Sequence, residues 1–121
     1  RMRTEWSGDQ PVSYKDGILT IGSFPPAKIP IEDDAEKRRV LLTWLVRMYQ
    51  EKKDGMGVTE ALFQRNLLDI GIPCGKGVLR TAQLAINEEI EREFGLRNFV
   101  RVRSGSAHIV KKRKEVASRS T

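Results

Sequence analysis

Cysteine and histidine are the scarcest reactive residues of this sequence, because Cys74 is the only cysteine and His108 the only histidine. A single cysteine excludes an intrachain disulfide framework and a zinc site built from clustered cysteines. Nothing supports a nucleophilic pair of Cys74 and His108, and the apolar neighbours of His108 favour a structural role. We therefore expect no enzyme activity, no metal, no cofactor and no small-molecule substrate, in a reducing, cytoplasmic setting.

Long apolar runs and aromatic residues are also in short supply. No stretch reaches the roughly 20 apolar residues that a bilayer-spanning helix needs, and none resembles a secretory signal. We therefore expect no membrane partner. Binding of RNA or single strands relies on aromatic stacking platforms. The candidates Trp6, Tyr14 and Phe99 do not cluster in the sequence, so this is the weakest of the nucleic-acid interpretations.

Positive charge, by contrast, is abundant. The 121 residues include 22 Lys and Arg against 16 Asp and Glu, which gives a formal net charge of +6. Such a balance favours an anionic partner, although charge alone leaves nucleic acid, a membrane surface and an acidic protein all open. Hydrophobic residues make up 39% and charged residues 31%, which is typical of one globular domain with a heavily solvated surface.

The pattern of residues divides the chain into three segments. Residues 1–11 are mostly polar with one aromatic, Trp6, and are predicted to be a flexible lead from which Trp6 could pack on the core. Residues 12–112 carry the predicted folded domain, and residues 113–121 form a basic tail that is predicted to be disordered. The domain opens with two short β-favouring runs around Asp16-Gly17, which predict a hairpin. Residues 27–31 are predicted to add an edge strand.

Three helices are predicted next. The first extends from about Asp33 to about Lys52, the second from its N-cap Thr59 through Leu68, and the third from about residue 76 to 94 with Gly95 as its terminator. The short, glycine-containing connection between the second and third helices is typical of a helix-turn-helix. Their predicted buried residues are Val40, Leu41, Trp44, Leu45 and Met48, then Leu62, Phe63, Leu67 and Ile70, and finally Val78 or Leu79, Ala82, Ile86 and Ile90.

Alternation returns after Gly95, where Val100 and Val102 are predicted to face one way and Phe99, Arg101 and Arg103 the other. Ser104-Gly105-Ser106 is predicted to turn the chain into a closing strand that ends at Val110. Arg101 and Arg103 would then share one face of this terminal hairpin.

Four stretches of the domain resemble those of a known family. They are Gly17-Ile18-Leu19-Thr20-Ile21, Val40 to Tyr49, Val58-Thr59-Glu60-Ala61-Leu62, and Ile86 to Val110. Their order is similar to that of OmpR/PhoB-type winged-helix effector domains. The resemblance implies an α+β winged-helix fold, in which a three-helix core follows a small N-terminal sheet and precedes a C-terminal wing hairpin. It also implies sequence-specific binding of double-stranded DNA within a bacterial transcriptional regulator, as a homodimer or as part of a larger parent chain.

The third helix and the hairpin supply the predicted contacts with DNA. A recognition helix in the major groove can read bases through Arg, Gln and Asn side chains. The predicted base-reading residues are Arg80, Thr81, Gln83 and Asn87. Arginines on a hairpin and lysines in a tail are suited to phosphates. The predicted phosphate contacts are Lys76, Arg97, Arg101, Arg103, Ser104, Lys111, Lys112, Arg113 and Lys114.

An alternative function comes from the second half of the third helix, which carries Glu88, Glu89, Glu91 and Glu93. Carboxylates close to DNA phosphates would repel them, so only the first two turns of this helix are expected to dock. The same acidic half could instead meet a basic protein. A winged-helix module for protein interaction therefore stands as the alternative to DNA binding.

Overall fold

Short strands alternate with three helices along the part of the chain that the structure describes. This structure is a computed structural model that describes residues 3–31, 35–51 and 57–112. The elements are β1 (Thr4–Glu5), β2 (Val12–Lys15), β3 (Ile18–Ile21), β4 (Ala27–Lys28), α1 (Glu36–Gln50), β5 (Val58–Thr59), α2 (Glu60–Asp69), α3 (Val78–Phe94), β6 (Leu96–Arg97), β7 (Val100–Arg103) and β8 (Ser106–Ile109). The expected mixture of helices and small sheets, an α+β fold, is confirmed.

The strands form three small sheets. The order β2-β3-β4 makes an antiparallel N-terminal sheet, whose first turn is Asp16-Gly17 with positive φ at both residues, as the sequence predicts. The order β5-β8-β7 makes a second antiparallel sheet, in which β7 and β8 are the C-terminal hairpin. Strands β1 and β6 pair in parallel. The predicted edge strand over 27–31 is shorter than expected, because only Ala27 and Lys28 pair with β3.

Helix α1 is the central packing element, since it contacts β2 on one side and α3 on another. Its buried residues are Leu41, Leu42, Leu45 and Val46. Val40, Trp44 and Met48, which were predicted to be buried, are only half-buried at the margin of the core, and the Arg47 guanidinium lies 5.8 Å from the centre of the Trp44 ring. The buried face differs from the predicted one because α1 packs against both β2 and α3, which bury Leu42 and Val46 in addition to Leu41 and Leu45. The predicted ends at Asp33 and Lys52 lie outside the described residues.

The lead at the N-terminus is packed, which corrects the prediction of a flexible segment for residues 3–11. Trp6 is only 4% exposed, and its Nε1 donates to the carbonyl of Val110 at 2.6 Å. Its ring centre lies 4.9 Å from that of Phe99 in an edge-to-face arrangement. Thr4 and Glu5 pair with β6. The aromatic ring therefore anchors the segment to the core. The predicted tail, residues 113–121, lies outside the described residues.

Helix α2 begins as predicted and packs less surface than predicted. The hydroxyl of Thr59 accepts from the Leu62 N–H at 3.1 Å, which is an N-cap bond. Phe63 and Leu67 are fully buried. Leu62 and Ile70, however, are exposed, which corrects their assignment to the core. The helix has only ten residues and Ile70 is its C-cap, so the chain has already left the packed side there.

Helix α3 lies between α1, α2 and β7. It is preceded by Gly77 and followed by Gly95, and both have left-handed backbones with φ of 84° and 72° that favour glycine. The predicted terminator is confirmed, whereas the helix starts two residues later than Lys76. Its predicted inward residues are buried: Val78, Leu79, Ala82, Ile86 and Ile90.

Candidate nucleic-acid interface

The start of α3 is held by a side chain from α2. One carboxylate oxygen of Glu60 accepts from the Gly77 N–H at 2.5 Å, and the other accepts from the Leu79 N–H at 2.9 Å. The first amides of a helix have no partner within the helix, and the positive end of its dipole favours a carboxylate. Glu60 was not among the predicted site residues, because its spacing from Leu79 in the sequence gives no local signal.

The same contact relates the start of α3 to the turn of the C-terminal hairpin. Glu60 directly follows β5, and Thr59 in β5 pairs with Ser106 in β8, which in turn pairs with Arg103 in β7. Ser106 is the first residue after the turn Ser104-Gly105. The N-terminal end of α3 and the turn of the hairpin therefore belong to the same end of the β5-β8-β7 sheet.

Two amide side chains of α3 close the outer edge of β7. The Val110 N–H donates to the Phe99 carbonyl, so by alternation the N–H and C=O of Val100 point away from β8. Asn87 takes both groups: its Nδ2 donates to Val100 O at 2.8 Å, and its Oδ1 accepts from Val100 N at 2.9 Å. Gln83 Nε2 donates to the same carbonyl at 2.9 Å. The two amides thus stand in for a neighbouring strand.

This geometry corrects two of the predicted base-reading residues. Gln83 is only 8% exposed and Asn87 is half-buried, and both amides are engaged with Val100. Neither side chain is available to a base edge in this conformation. The prediction grouped Arg80, Gln83 and Asn87 on one face by their spacing. The spacing could not show that β7 covers part of that face.

A solvent-exposed strip remains on α3. We call it the outer strip, and it consists of Arg80, Thr81, Leu84 and Glu88. Arg80 and Thr81 were predicted to face outward and do so. Leu84 was not predicted, although it is 49% exposed. Its position four residues after Arg80 is the signal that could have identified it, because residues at this spacing share a helical face. Exposed leucine on a strip with basic and hydroxyl groups is suited to a partially apolar partner.

The C-terminal hairpin presents its arginines to solvent. Arg101 and Arg103 are exposed, whereas Val100 is buried and Val102 is half-buried on the opposite face, as the alternation predicts. His108 pairs across the hairpin with Arg101. Burial, followed by the positive charges of Arg101 and Arg103, holds the pKa of His108 below its usual value. Ser104 lies exposed in the turn with a φ of 53°.

The other predicted phosphate contacts are not all brought to this site. Arg97 is exposed on β6, just after the C-terminal end of α3. Since α3 has 17 residues, that end is about 25 Å from Val78 at 1.5 Å per residue. Lys111 is engaged within the fold, because its Nζ donates to Tyr49 O at 2.8 Å and lies 4.7 Å from the centre of the Tyr49 ring. Lys76 and Lys112 are exposed, and Arg113 and Lys114 lie outside the described residues.

The acidic half of α3 is largely used within the fold. Glu89 is only 2% exposed, its carboxylate lies 2.9 Å from Arg38 Nε, and it accepts from the Ile31 N–H at 3.1 Å. Glu91 pairs with Arg3 at 3.3 Å, and Glu93 is half-buried and lies 4.0 Å from Arg92. Glu88 is the exposed glutamate of this group. The acidic surface on which the protein-interaction alternative depends is therefore much smaller than the sequence indicates.

The described residues offer little support for stacking on unpaired bases, for metal binding or for a membrane-spanning helix. Trp6 and Phe99 are buried against each other, which removes two of the three aromatic candidates for stacking on unpaired bases. Within residues 3–31, 35–51 and 57–112, no group of three or more His, Cys, Asp or Glu side chains is arranged to hold a metal ion. In the same ranges, no helix combines the length and apolar character required to cross a membrane.

Comparison with family models, with characterised proteins and with solved structures finds no match for this chain.

Proposed function

We propose that this chain is a winged-helix domain that binds double-stranded DNA in a sequence-specific manner, within a bacterial transcriptional regulator. The observation that carries the proposal is the position of the exposed start of α3, which Glu60 ties to the end of the sheet where the arginine-bearing hairpin turns. A helix and a basic ribbon at one end of a small domain can approach a duplex together.

The order of elements supports the winged-helix part of the proposal. In the described residues α1, α2 and α3 follow a small sheet, and the C-terminal hairpin pairs with the short strand β5 between α1 and α2. Under this interpretation α3 is the recognition helix and the C-terminal hairpin is the wing. Gln83 and Asn87 then have a defined part, since they fix the wing strand β7 against the recognition helix.

The outer strip supplies the base contacts in this proposal. The major groove is about 12 Å wide and admits a helix. Arg80 can donate to two acceptors of a guanine, Thr81 can bond to either kind of edge group, and Leu84 can contact a thymine methyl group. These contacts belong to the first two turns of α3. Glu88 lies one turn further along the same strip, where its carboxylate would repel a phosphate.

The C-terminal hairpin supplies attraction to phosphates. Arg101 and Arg103 are exposed on one face, and Ser104 adds a hydroxyl at the turn. Contacts of this kind set the register of a protein on the duplex and make the affinity dependent on salt.

The direct test is enrichment of bound duplexes from a random-sequence pool, followed by titration of the enriched duplex in a mobility-shift assay. We expect one sequence class to be enriched and to bind more tightly than a scrambled duplex. Lys28, exposed on β4 in the N-terminal sheet, provides a control: Lys28→Ala should bind like the wild-type protein. An absence of duplex binding at low salt would overturn the proposal. Capture of a basic protein that Glu88→Lys abolishes would instead favour the protein-interaction module.

A further inference from the structure

A second basic surface adjoins α3 on the side away from the C-terminal hairpin. It is a cleft of about 290 Å³ between the start of α1 and the start of α3, which we call the α1–α3 cleft. Its charged lining residues are Lys37, Arg38 and Lys76, and the hydroxyl-bearing Thr81 and the small side chains of Ala82 and Ala85 complete its α3 wall. Among the lining residues that the structure describes there is no Asp or Glu.

Two of the three cations in the cleft give it its net charge. Arg38 is balanced by Glu89, whose Oε1 lies 2.9 Å from the Arg38 Nε. Lys37 and Lys76, by contrast, form no ion pair with a residue in the described ranges. Lys76 is exposed and Lys37 is half-exposed. The two ammonium groups can therefore serve an anion that enters from solvent.

The position of the cleft follows from the helical arrangement of α3. Leu84, in the outer strip, has Gln83 and Ala85 as its neighbours, and each is turned from it by about 100° in opposite directions. Gln83 meets the edge of β7, whereas Ala85 lines the cleft. The outer strip is thus flanked by the C-terminal hairpin on one side and by the α1–α3 cleft on the other.

This flanked arrangement matches the shape of a major groove. A helix with its side chains is about 10–12 Å across, close to the groove width of about 12 Å, so a sugar-phosphate backbone lies along each side of a docked helix. The hairpin can serve only one of these backbones. The opposite flank of α3 must meet the other strand, and a basic, concave surface there can accept a phosphate.

We propose that the α1–α3 cleft holds a backbone phosphate of the strand opposite to the one that the C-terminal hairpin contacts, with Lys37 and Lys76 as its ligands. The inference rests on the proposed function and adds Lys37 to its contacts. It makes α3 a helix clamped between two phosphate sites rather than one that is supported on a single side.

The test compares two double substitutions of equal charge, Lys37→Ala/Lys76→Ala and the control Lys15→Ala/Lys28→Ala in the N-terminal sheet. Affinity for the enriched duplex and for a scrambled duplex is measured over a salt series. Each lost phosphate contact should reduce the slope of log affinity against log salt by about 0.9. We expect the cleft variant to lose nearly two units of slope and to weaken on both duplexes alike, while the control keeps the wild-type slope. Thermal melting should be unchanged in both.

Ethylation interference on the enriched duplex identifies the strand. The cleft variant should lose interference on one strand, and Arg101→Ala/Arg103→Ala should lose it on the other. If the wild-type protein binds duplex but the cleft variant keeps its slope, or if both variants affect the same strand, the inference is wrong while the proposed function stands. If the wild-type protein binds no duplex, both are overturned.

Discussion

Two sides of α3 are both polar in the sequence, but one packs against β7 in the fold and the other is exposed to solvent. Gln83 and Asn87 face β7, where their amides complete the edge of a sheet. Arg80 and Thr81 lie on the outer strip and are exposed to solvent. The difference shows that polar residues on a helix can face either the rest of the fold or the solvent, and that their spacing alone does not say which. Substitutions on the first side should act on stability, and those on the second should act on binding.

The adjacent glutamates Glu88 and Glu89 give the largest expected contrast. Glu89→Ala should lower the free energy of unfolding by about 3 kcal/mol, because it removes the buried carboxylate that pairs with Arg38 and accepts from the Ile31 N–H. Glu88→Ala should change stability by less than about 0.5 kcal/mol, as exposed substitutions do. Urea denaturation of both variants measures these changes in the free energy of unfolding.

The same two variants also test whether the outer strip takes part in duplex binding. Under the proposed function Glu88→Ala removes a negative charge from the outer strip and should strengthen duplex binding. Equal stability losses for the two variants would show that the distinction between the inner and outer sides of α3 is mistaken.

Asn87→Ala is expected to have the next largest effect. It removes the partner of the Val100 N–H and one of the two donors to the Val100 carbonyl, and an unsatisfied buried group costs about 1–3 kcal/mol. Gln83→Ala should cost less, because Asn87 continues to bond both groups of Val100. Denaturation curves that rank Gln83→Ala above Asn87→Ala would contradict this account of the β7 edge.

Much of the fold follows from local signals, which is why the sequence predicts it. Asp16-Gly17 forms the predicted turn, Thr59 caps α2, Gly95 ends α3, and Ser104-Gly105 turns the C-terminal hairpin. Each of these depends on the backbone preference or hydrogen bonding of residues that are close in sequence. Such signals are readable without knowledge of the tertiary structure.

The parts that could not be predicted depend on residues far apart in the chain. Trp6 is held by Val110 and Phe99, Glu89 by Arg38, and the start of α3 by Glu60. Helical spacing places Gln83 and Asn87 near Arg80, but only the position of β7 decides that they are covered. The base-reading set was therefore too wide, and the α1–α3 cleft, which brings Lys37 beside Lys76, was not foreseen.

Arg80→Lys tests whether the outer strip of α3 reads bases. Lysine keeps the positive charge but lacks the planar fork with which arginine bonds two acceptors of guanine. Under the proposed function the variant should lose about 1–3 kcal/mol of discrimination between the enriched and scrambled duplexes, while its salt dependence stays close to that of the wild-type protein. Its melting temperature should not change. A uniform loss of affinity on both duplexes would show that Arg80 contacts phosphate and does not read a base.

His108 should show the smallest effect, because it is half-buried and lies on the C-terminal hairpin, where it pairs with Arg101, and not on either side of α3. Burial, then Arg101 and Arg103, lowers its pKa in the folded protein, so the unfolded chain binds this proton more readily. Stability should therefore decrease as the pH falls through the usual histidine value of about 6.5. His108→Gln should flatten the dependence in that range.

Duplex binding should shift the pKa of His108 in the opposite direction. Phosphates that dock on Arg101 and Arg103 would offset the charges that disfavour protonation of His108, so its pKa should rise in the complex. As the pH falls from about 7.5 to about 5.5, the affinity of the wild-type protein should then increase more than that of His108→Gln. The difference should not exceed what the uptake of one proton allows. Titrations at fixed ionic strength measure this difference. Parallel pH profiles for the two proteins would mean that the arginine face of the hairpin does not meet phosphate, even if α3 does enter the groove.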